Sequence, residues 1–308
     1  MAGDEFEIIR MLFAPLATHA GARGLADDAA LFAGHVVTTD AIVEGVHFLP
    51  DDPIETVAQK ALRVNLSDLA AKGAKPVGAL LTLIWPQTRS ADEIAAFARG
   101  LGEDLRLFDV ALLGGDTSTT PGPLTISIAA FGAPLGPRTP SRADARIGDE
   151  VWLSGPVGDS YLGLRALTAP EVVPQREAVI ARYRVPQPRL DLAALVAQCA
   201  HASMDVSDGL FADLTKLAAA SAVAIRIDHD AIPISVAGGE WLARGGARDA
   251  LIGHGDDYEI VLTAAPQRRT ELAARGLVRI GEVVEGAGLW RPTGEPIAAA
   301  GYSHRLGR

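Results

Sequence analysis

The run His35-Val36-Val37-Thr38-Thr39-Asp40 reads as a short buried strand that delivers a carboxylate at its C-terminal end. Val110-Ala111-Leu112-Leu113-Gly114-Gly115-Asp116 has the same form, apolar residues first and an acid last. Asp27-Asp28 abuts another short apolar segment, and Asp205 and Asp208 follow the strand-like Ala202-Ser203-Met204. Scattered surface acids do not fall in this pattern. Carboxylates gathered at strand ends repel one another, by about 4 kcal/mol for a pair ~4 Å apart at an effective dielectric near 20. Such a cluster needs a cation. Hard divalent ions take oxygen ligands, and magnesium usually keeps phosphates among them.

Outward from these runs, helix and strand signals alternate. Phe6, Ile9, Leu12, Phe13 and Leu16 have helical spacing over 6–17. Asp51-Asp52-Pro53 opens a long helix, with Asp52 as N-cap and Pro53 at the first helical position. That helix runs to about Lys72 and stops at Gly73. Val77 to Trp85 is a strand, and Ser90 caps a helix to Phe108 with Glu93 three residues on. Further strands are expected at 124–131, 150–153, 202–205, 224–227 and 258–263, and helices at 191–199 and 210–220. Gly132-Ala133-Pro134-Leu135-Gly136-Pro137-Arg138-Thr139-Pro140 has the composition of a linker. The domain boundary is placed there, between 1–136 and 137–308. Both parts mix strands and helices, so the fold class is α/β or α+β.

Composition narrows the function. The 308 residues suffice for two domains, and 48% hydrophobic residues supply ample core. A net charge of −10 with no basic run argues against nucleic acid or an anionic membrane as partner. Cys199 is the only cysteine, which excludes an internal disulfide and a thiolate metal cluster. The start, Met1 to Glu7, is acidic and has no apolar signal core, and no apolar run is long enough to span a bilayer. A soluble cytoplasmic protein is the expectation.

Each candidate residue has a plain reading beside a functional one. Val57, Ala61, Val64 and Asp68 fall on one helix face, so Asp68 is a carboxylate on a buried stripe. It is either paired with a core cation or a metal ligand. Gly114-Gly115-Asp116-Thr117 is either a tight glycine turn or a backbone that a ligand approaches closely. In Asp205-Val206-Ser207-Asp208-Gly209, Ser207 or Asp208 can cap the next helix, or the helix start can meet phosphate. Arg142 is a phosphate contact or a solvated residue, and His47, seven residues after Asp40, is a site residue or an ordinary one. The P-loop, Rossmann and protein-kinase signatures are absent. A nucleotide here would need a cradle of aspartate and metal.

Taken together, the motifs resemble the thiamine-monophosphate kinase family, within the superfamily that also holds aminoimidazole-ribotide synthase. The matching segments include Gly3-Asp4-Glu5-Phe6, Asp27-Asp28-Ala29-Ala30, Thr38-Thr39-Asp40, Gly45-Val46-His47-Phe48 and Asn65-Leu66-Ser67-Asp68. They continue with Gly114-Gly115-Asp116-Thr117, Asp205-Val206-Ser207-Asp208-Gly209, Asp257-Tyr258-Glu259 and Gly301-Tyr302. The resemblance implies a two-domain fold whose N-terminal domain forms a homodimer. It also implies ATP-dependent phosphorylation of thiamine monophosphate to thiamine diphosphate with several Mg²⁺ ions. Carried over, Asp28, Thr38, Thr39, Asp40, Asp68, Asp116, Asp205 and Asp208 become magnesium ligands. Gly115, Asp116, Arg142 and Ser207 become ATP contacts, and His47, Asp256 and Tyr302 hold the thiamine phosphate. The chain departs from the family at Ala26, usually glycine, and at Asp256, usually glutamate. Its tail, Gly301-Tyr302-Ser303-His304-Arg305, lacks the usual residues around the histidine.

Overall fold

The acid-bearing runs do form strands, but two are longer than their apolar parts, which moves the acids away from the ends. In the computed structural model, which describes residues 3–169, 172–298, 301–302 and 305–306, the first half holds β1 (Gly3–Asp4), β2 (Ala30–Phe32) and β3 (His35–Val43). It continues with β4 (Ala74–Pro86), β5 (Ala111–Thr120) and β6 (Thr125–Pro134). Asp40 and Asp116 therefore lie inside β3 and β5, because Ala41–Val43 and Thr117–Thr120 prolong the pairing. The second half holds β7 (Glu150–Leu153), β8 (Ala202–Asp205), β9 (Ala224–Ile227) and β10 (Ile260–Ala264). β11 (Val278–Val284), β12 (Gly288–Trp290) and β13 (Arg305–Leu306) complete it. Asp205 does end its strand. Met1, Ala2, Ser303 and His304 of the sequence reading lie outside the described residues.

Two sheets organise the chain. The five-stranded sheet runs β2-β3-β6-β4-β5, antiparallel except for the parallel pair β4–β5. The six-stranded sheet runs β12-β9-β11-β7-β10-β8 and is antiparallel except at β12–β9. β1 pairs with β13, tying residues 3–4 to 305–306.

The helix Ile54–Ala71 lies between the sheets and explains their mutual packing. Its Val57, Ala61, Val64, Leu66 and Leu69 join Val36, Ile42, Ile126 and Ile128 in the core over the first sheet. Its end, Ala70 and Ala71, packs with Leu192, Val196, Cys199 and Leu262 of the second unit. Polar residues on the same helix are buried too, and each reaches across to a partner. The Arg63 guanidinium forks onto Asp104 at 2.6 and 2.8 Å and donates to the Pro186 carbonyl at 3.1 Å. The helix ends as expected, with Gly73 at φ +65°. Its start differs: Pro53 is the cap, while Asp52 accepts from the Leu49 amide and the Arg184 guanidinium. The Ser90–Glu93 capping box is present on the helix Ala91–Leu107.

The expected helix over 6–17 is broken into a short α-helix (Glu5–Ile8), a π-turn (Ile9–Phe13) and a 3₁₀-turn (Ala14–Leu16). Met11, Leu12, Phe13 and Leu16 are exposed, so no core supports a regular helix there. Cys199 is buried, and its thiol is pushed up to about 11, mainly by burial. Among the described residues, no helix is long and apolar enough to cross a membrane.

Candidate active site

Three segments converge where the helix Ile54–Ala71 ends. The loop before β2 brings Asp28, the helix brings Asp68, and the end of β8 brings Asp205. Their carboxylate oxygens lie within 4.8 Å of one another. Thr38 Oγ1 reaches both Asp68 Oδ2 and the Asp28 carbonyl, and its single proton serves one at a time. Ser67 Oγ donates to Asp205 Oδ2 at 2.6 Å, and Asn65 Oδ1 accepts from the Asp40 amide at 3.0 Å.

The charges in this end of the cleft are not balanced. Burial, then the Asp208 carboxylate, raises Asp40 to about 6. Burial raises Asp205 to about 7; the Ser67 hydroxyl works against the rise, and Asp213 and Asp40 add to it. Asp68 stands well above the usual carboxylate range, through burial and the nearby Asp40 and Asp205. Asp27 behaves oppositely. Burial pushes it up, but Lys72 and Arg23 outweigh burial and hold it at about 2. A divalent cation fits this set: every donor is a hard oxygen, and several are strained toward protonation for want of positive charge. Asp28 Oδ2 adds an independent sign. It is buried and 2.6 Å from Lys72 Nζ, yet makes no hydrogen bond of acceptable geometry.

The acids line a cleft of about 830 Å³ between the two units, a size suited to a nucleotide-like or cofactor-sized ligand. Thr39, Asp40, Arg142, Ser207 and Asp208 share its wall with the three acids, and Thr38 lies just behind. Arg142 pairs with Asp28, and its Nε has no hydrogen-bond partner. Neither Ser207 nor Asp208 caps the helix Leu210–Ala220; Gly209, at φ +109°, occupies that position. Instead the first-turn Asp213 accepts from both the Ser207 and Asp208 amides at 3.1 Å and shapes the loop. Lys216 bridges Asp213 and Asp208.

His47 and Asp256 lie together at the far end of the same cleft, joined through Lys60, and Tyr302 lines the cleft beside Asp208. Lys60 Nζ lies 2.9 Å from Asp256 Oδ2 and 2.9 Å from the His47 carbonyl, over the Tyr183 ring. Tyr258 donates to Asp256 Oδ1 at 3.0 Å. The His47 Nδ1 accepts from the Val43 amide at 3.0 Å, which leaves Nε2 to carry the proton. Tyr302 is half exposed, and its amide donates to the Asp208 carbonyl at 2.9 Å.

Gly115 and Asp116 do not join the cleft. Both are exposed on β5, at the edge of the first sheet. The glycine is required by its neighbour strand: at φ +154°, an added Cβ would stand 1.7 Å from the Leu81 carbonyl oxygen. The close approach read from Gly114-Gly115 is therefore strand against strand. Sequence reading overlooked Lys60, Lys72, Asp213 and Lys216. Lys72 was signalled by its place four residues after Asp68, one helical turn on.

Comparison with known proteins follows the same outline. The AIR synthase related protein family matches in two parts, its N-terminal domain over residues 26–133 and its C-terminal domain over residues 146–290. The thiamine-monophosphate kinase of Caulobacter vibrioides is 43% identical over 302 residues, covering 92% of this chain and 85% of that protein. The Haemophilus influenzae thiamine-monophosphate kinase is 32% identical, covering 99% and 98%. The solved structure of AaThiL complexed with AMPPCP and TMP superimposes with a TM-score of 0.89 at 31% identity, covering 98% of this chain and 97% of that one.

Proposed function

The chain belongs to the thiamine-monophosphate kinase family, and on that premise we propose that it transfers the γ-phosphoryl group of ATP to the phosphate of thiamine monophosphate, releasing thiamine diphosphate and ADP. The observation that carries this reading is the meeting of Asp28, Asp68 and Asp205 in one cleft with an aromatic, charge-balanced far end. The acceptor is already an anionic phosphate, so little general-base help is needed, and catalysis rests on positioning and charge neutralisation. Asp28, Asp40, Asp68, Asp205 and Asp208, with Thr38 and Thr39, are the residues that would hold magnesium. Bound there, the metal supplies positive charge against the phosphates of donor and acceptor. Arg142, which pairs with Asp28 and lies 4.0 Å from Asp27 through its buried Nε, is the cation of the cleft wall that would meet phosphate, and Ser207 lines the same wall. Asp256, held by Lys60 and Tyr258, would face the cationic ring of the acceptor, with His47 beside it and Tyr302 on the cleft wall next to Asp208. Residues 1–136 form the metal- and ATP-binding unit, and 137–308 complete the site. ATP as donor implies a cytoplasmic location.

The reading includes a homodimer formed by the N-terminal unit, supported by β5. That edge strand exposes Leu112 and Leu113, the latter 61% accessible, and long apolar edges are normally covered. Three strand spacings, ~14 Å, separate β3 from β5. Gly115 and Asp116 thus contribute to a site containing Thr39 and Asp40 when they come from a second copy. Asp40→Asn and Asp116→Asn are each expected to abolish turnover. Mixed subunits should recover about a quarter of the sites, whereas a site built within one chain recovers nothing.

The reaction is tested by incubating purified protein with ATP, Mg²⁺ and thiamine monophosphate, with thiamine as a parallel acceptor. Chromatography should resolve thiamine diphosphate and ADP in equal amounts from the monophosphate. ADP release without thiamine diphosphate would overturn the assignment.

A further inference from the structure

We propose that Lys72 is the resident counter-ion of the three-carboxylate site and that it sets how tightly the site holds a divalent cation. This inference rests on the metal site of the proposed function, but not on the identity of the phosphate acceptor.

Lys72 is completely buried, directly after the last residue of the helix Ile54–Ala71. Its ammonium lies 2.6 Å from Asp27 Oδ1, 2.6 Å from Asp28 Oδ2 and 2.7 Å from the Ser203 carbonyl. These contacts span the segments that carry the site. Asp28 is itself a member, Ser203 precedes Asp205 by two residues on β8, and the Lys72 amide donates to the Asp68 carbonyl at 2.9 Å. One cation therefore fixes the loop, the helix end and the strand relative to one another. It also adds a positive charge a few ångströms from the carboxylate oxygens, where a divalent ion would feel it as repulsion.

Asp27 tunes the same cation from the other side. Besides Lys72, it receives the Arg23 guanidinium, the Asp28 amide at 3.1 Å and the Arg142 amide at 3.3 Å. Asp27 neutralises part of the lysine charge without offering an oxygen to the three-carboxylate group. The pair Asp27–Lys72 thus lets Asp28 stand beside Asp68 and Asp205 before metal arrives, and weakens the grip once it does. A site that must exchange metal–nucleotide each turnover gains from that restraint.

The electrostatic role and a merely structural one differ in sign. Removing the lysine charge with Lys72→Met should tighten binding of Mn²⁺ alone by roughly tenfold or more. Asp27→Asn leaves the lysine less neutralised and should weaken it by about threefold or more. A structural role weakens binding in both variants. The full chain is titrated with Mn²⁺ and no nucleotide, with free metal read by electron paramagnetic resonance. Lys72→Met should also be less stable without metal and regain stability in saturating Mn²⁺. Weakened or unchanged binding in Lys72→Met overturns the inference; if that variant does not fold, unchanged or tighter binding in Asp27→Asn overturns it. Wild-type protein that binds no Mn²⁺ overturns the metal site and this inference together, whereas wild-type binding with unmoved variants overturns this inference alone.

Discussion

The two ends of the cleft each bury one lysine, and they differ in what surrounds it. At the far end Lys60 meets one carboxylate, Asp256, and an aromatic face, so the charges cancel within the protein. At the near end Lys72 meets Asp27 and Asp28 while Asp40, Asp68 and Asp205 crowd behind. One end is complete as built, and the other is short of positive charge. Under the proposed function the contrast would separate two recognition tasks in one cavity: an organic group met by shape, rings and one fixed carboxylate, and phosphates met by acids together with metal.

The largest break in that contrast is Asp68→Asn. Turnover should fall by about 10³-fold or more, since a group that acts only through charge placed at the reacting phosphates is lost. The same variant should raise the melting temperature of the metal-free protein at pH 8, because it removes one of the repelling acids. A metal-free melting temperature that drops instead would mean that the acids are satisfied without metal.

At the other end, Lys60→Met frees Asp256 and should raise KM for the acceptor by roughly tenfold to a hundredfold, about 1.4–2.8 kcal/mol, with a smaller effect on kcat. A change in kcat alone would remove the division of labour between the ends.

The pH dependence of stability is smaller and carries a definite sign. Asp40 and Asp205 are raised in the folded state to about 6 and about 7 from an ordinary 3.8. Acids raised by folding stabilise the fold fully below their unfolded value, and that contribution disappears as pH rises through 6 to 7. Metal-free protein should therefore melt a few degrees higher near pH 5 than near pH 8, with Mg²⁺ restoring stability at pH 8 and doing little at pH 5. Asp27, held at about 2, is ionised throughout that window and does not alter the trend. Scanning calorimetry with and without Mg²⁺ measures all four conditions. Arg99→Ala is the control outside both ends: it breaks an exposed pair with Glu55 and should change stability by less than about 0.5 kcal/mol.

Much of the site was legible because its residues sit where local rules are strong. The helix Ile54–Ala71 announced its apolar stripe and its stop at Gly73, and Asp68 stood out on that stripe. The strand-end reading held for Asp205 and missed for Asp40 and Asp116, because polar residues after each acid still pair in the sheet. Hydrogen bonding to a neighbour strand leaves no apolar signal. The partners of the acids were harder to read. Lys60 and Lys72 look like ordinary helix residues until the second unit closes over them, and Asp213 is recognisable only once its loop is folded. The short helices Arg176–Arg184, Val236–Ala243, Arg248–Gly253 and Arg269–Ala274 went unread, since pieces of that length are held by tertiary packing. The apolar spacing over 6–17 misled for the converse reason, having no core to meet.

The burial of Cys199 has a practical consequence. Its thiol is inaccessible and weakly acidic, so thiol-directed probes pass it by. One cysteine introduced at exposed Glu240, on the helix Val236–Ala243 and so away from β5, then becomes a unique attachment point on each chain. A spin label placed there reports a single distance between copies, and so measures the assembly in solution without any need to rebuild the protein's own chemistry.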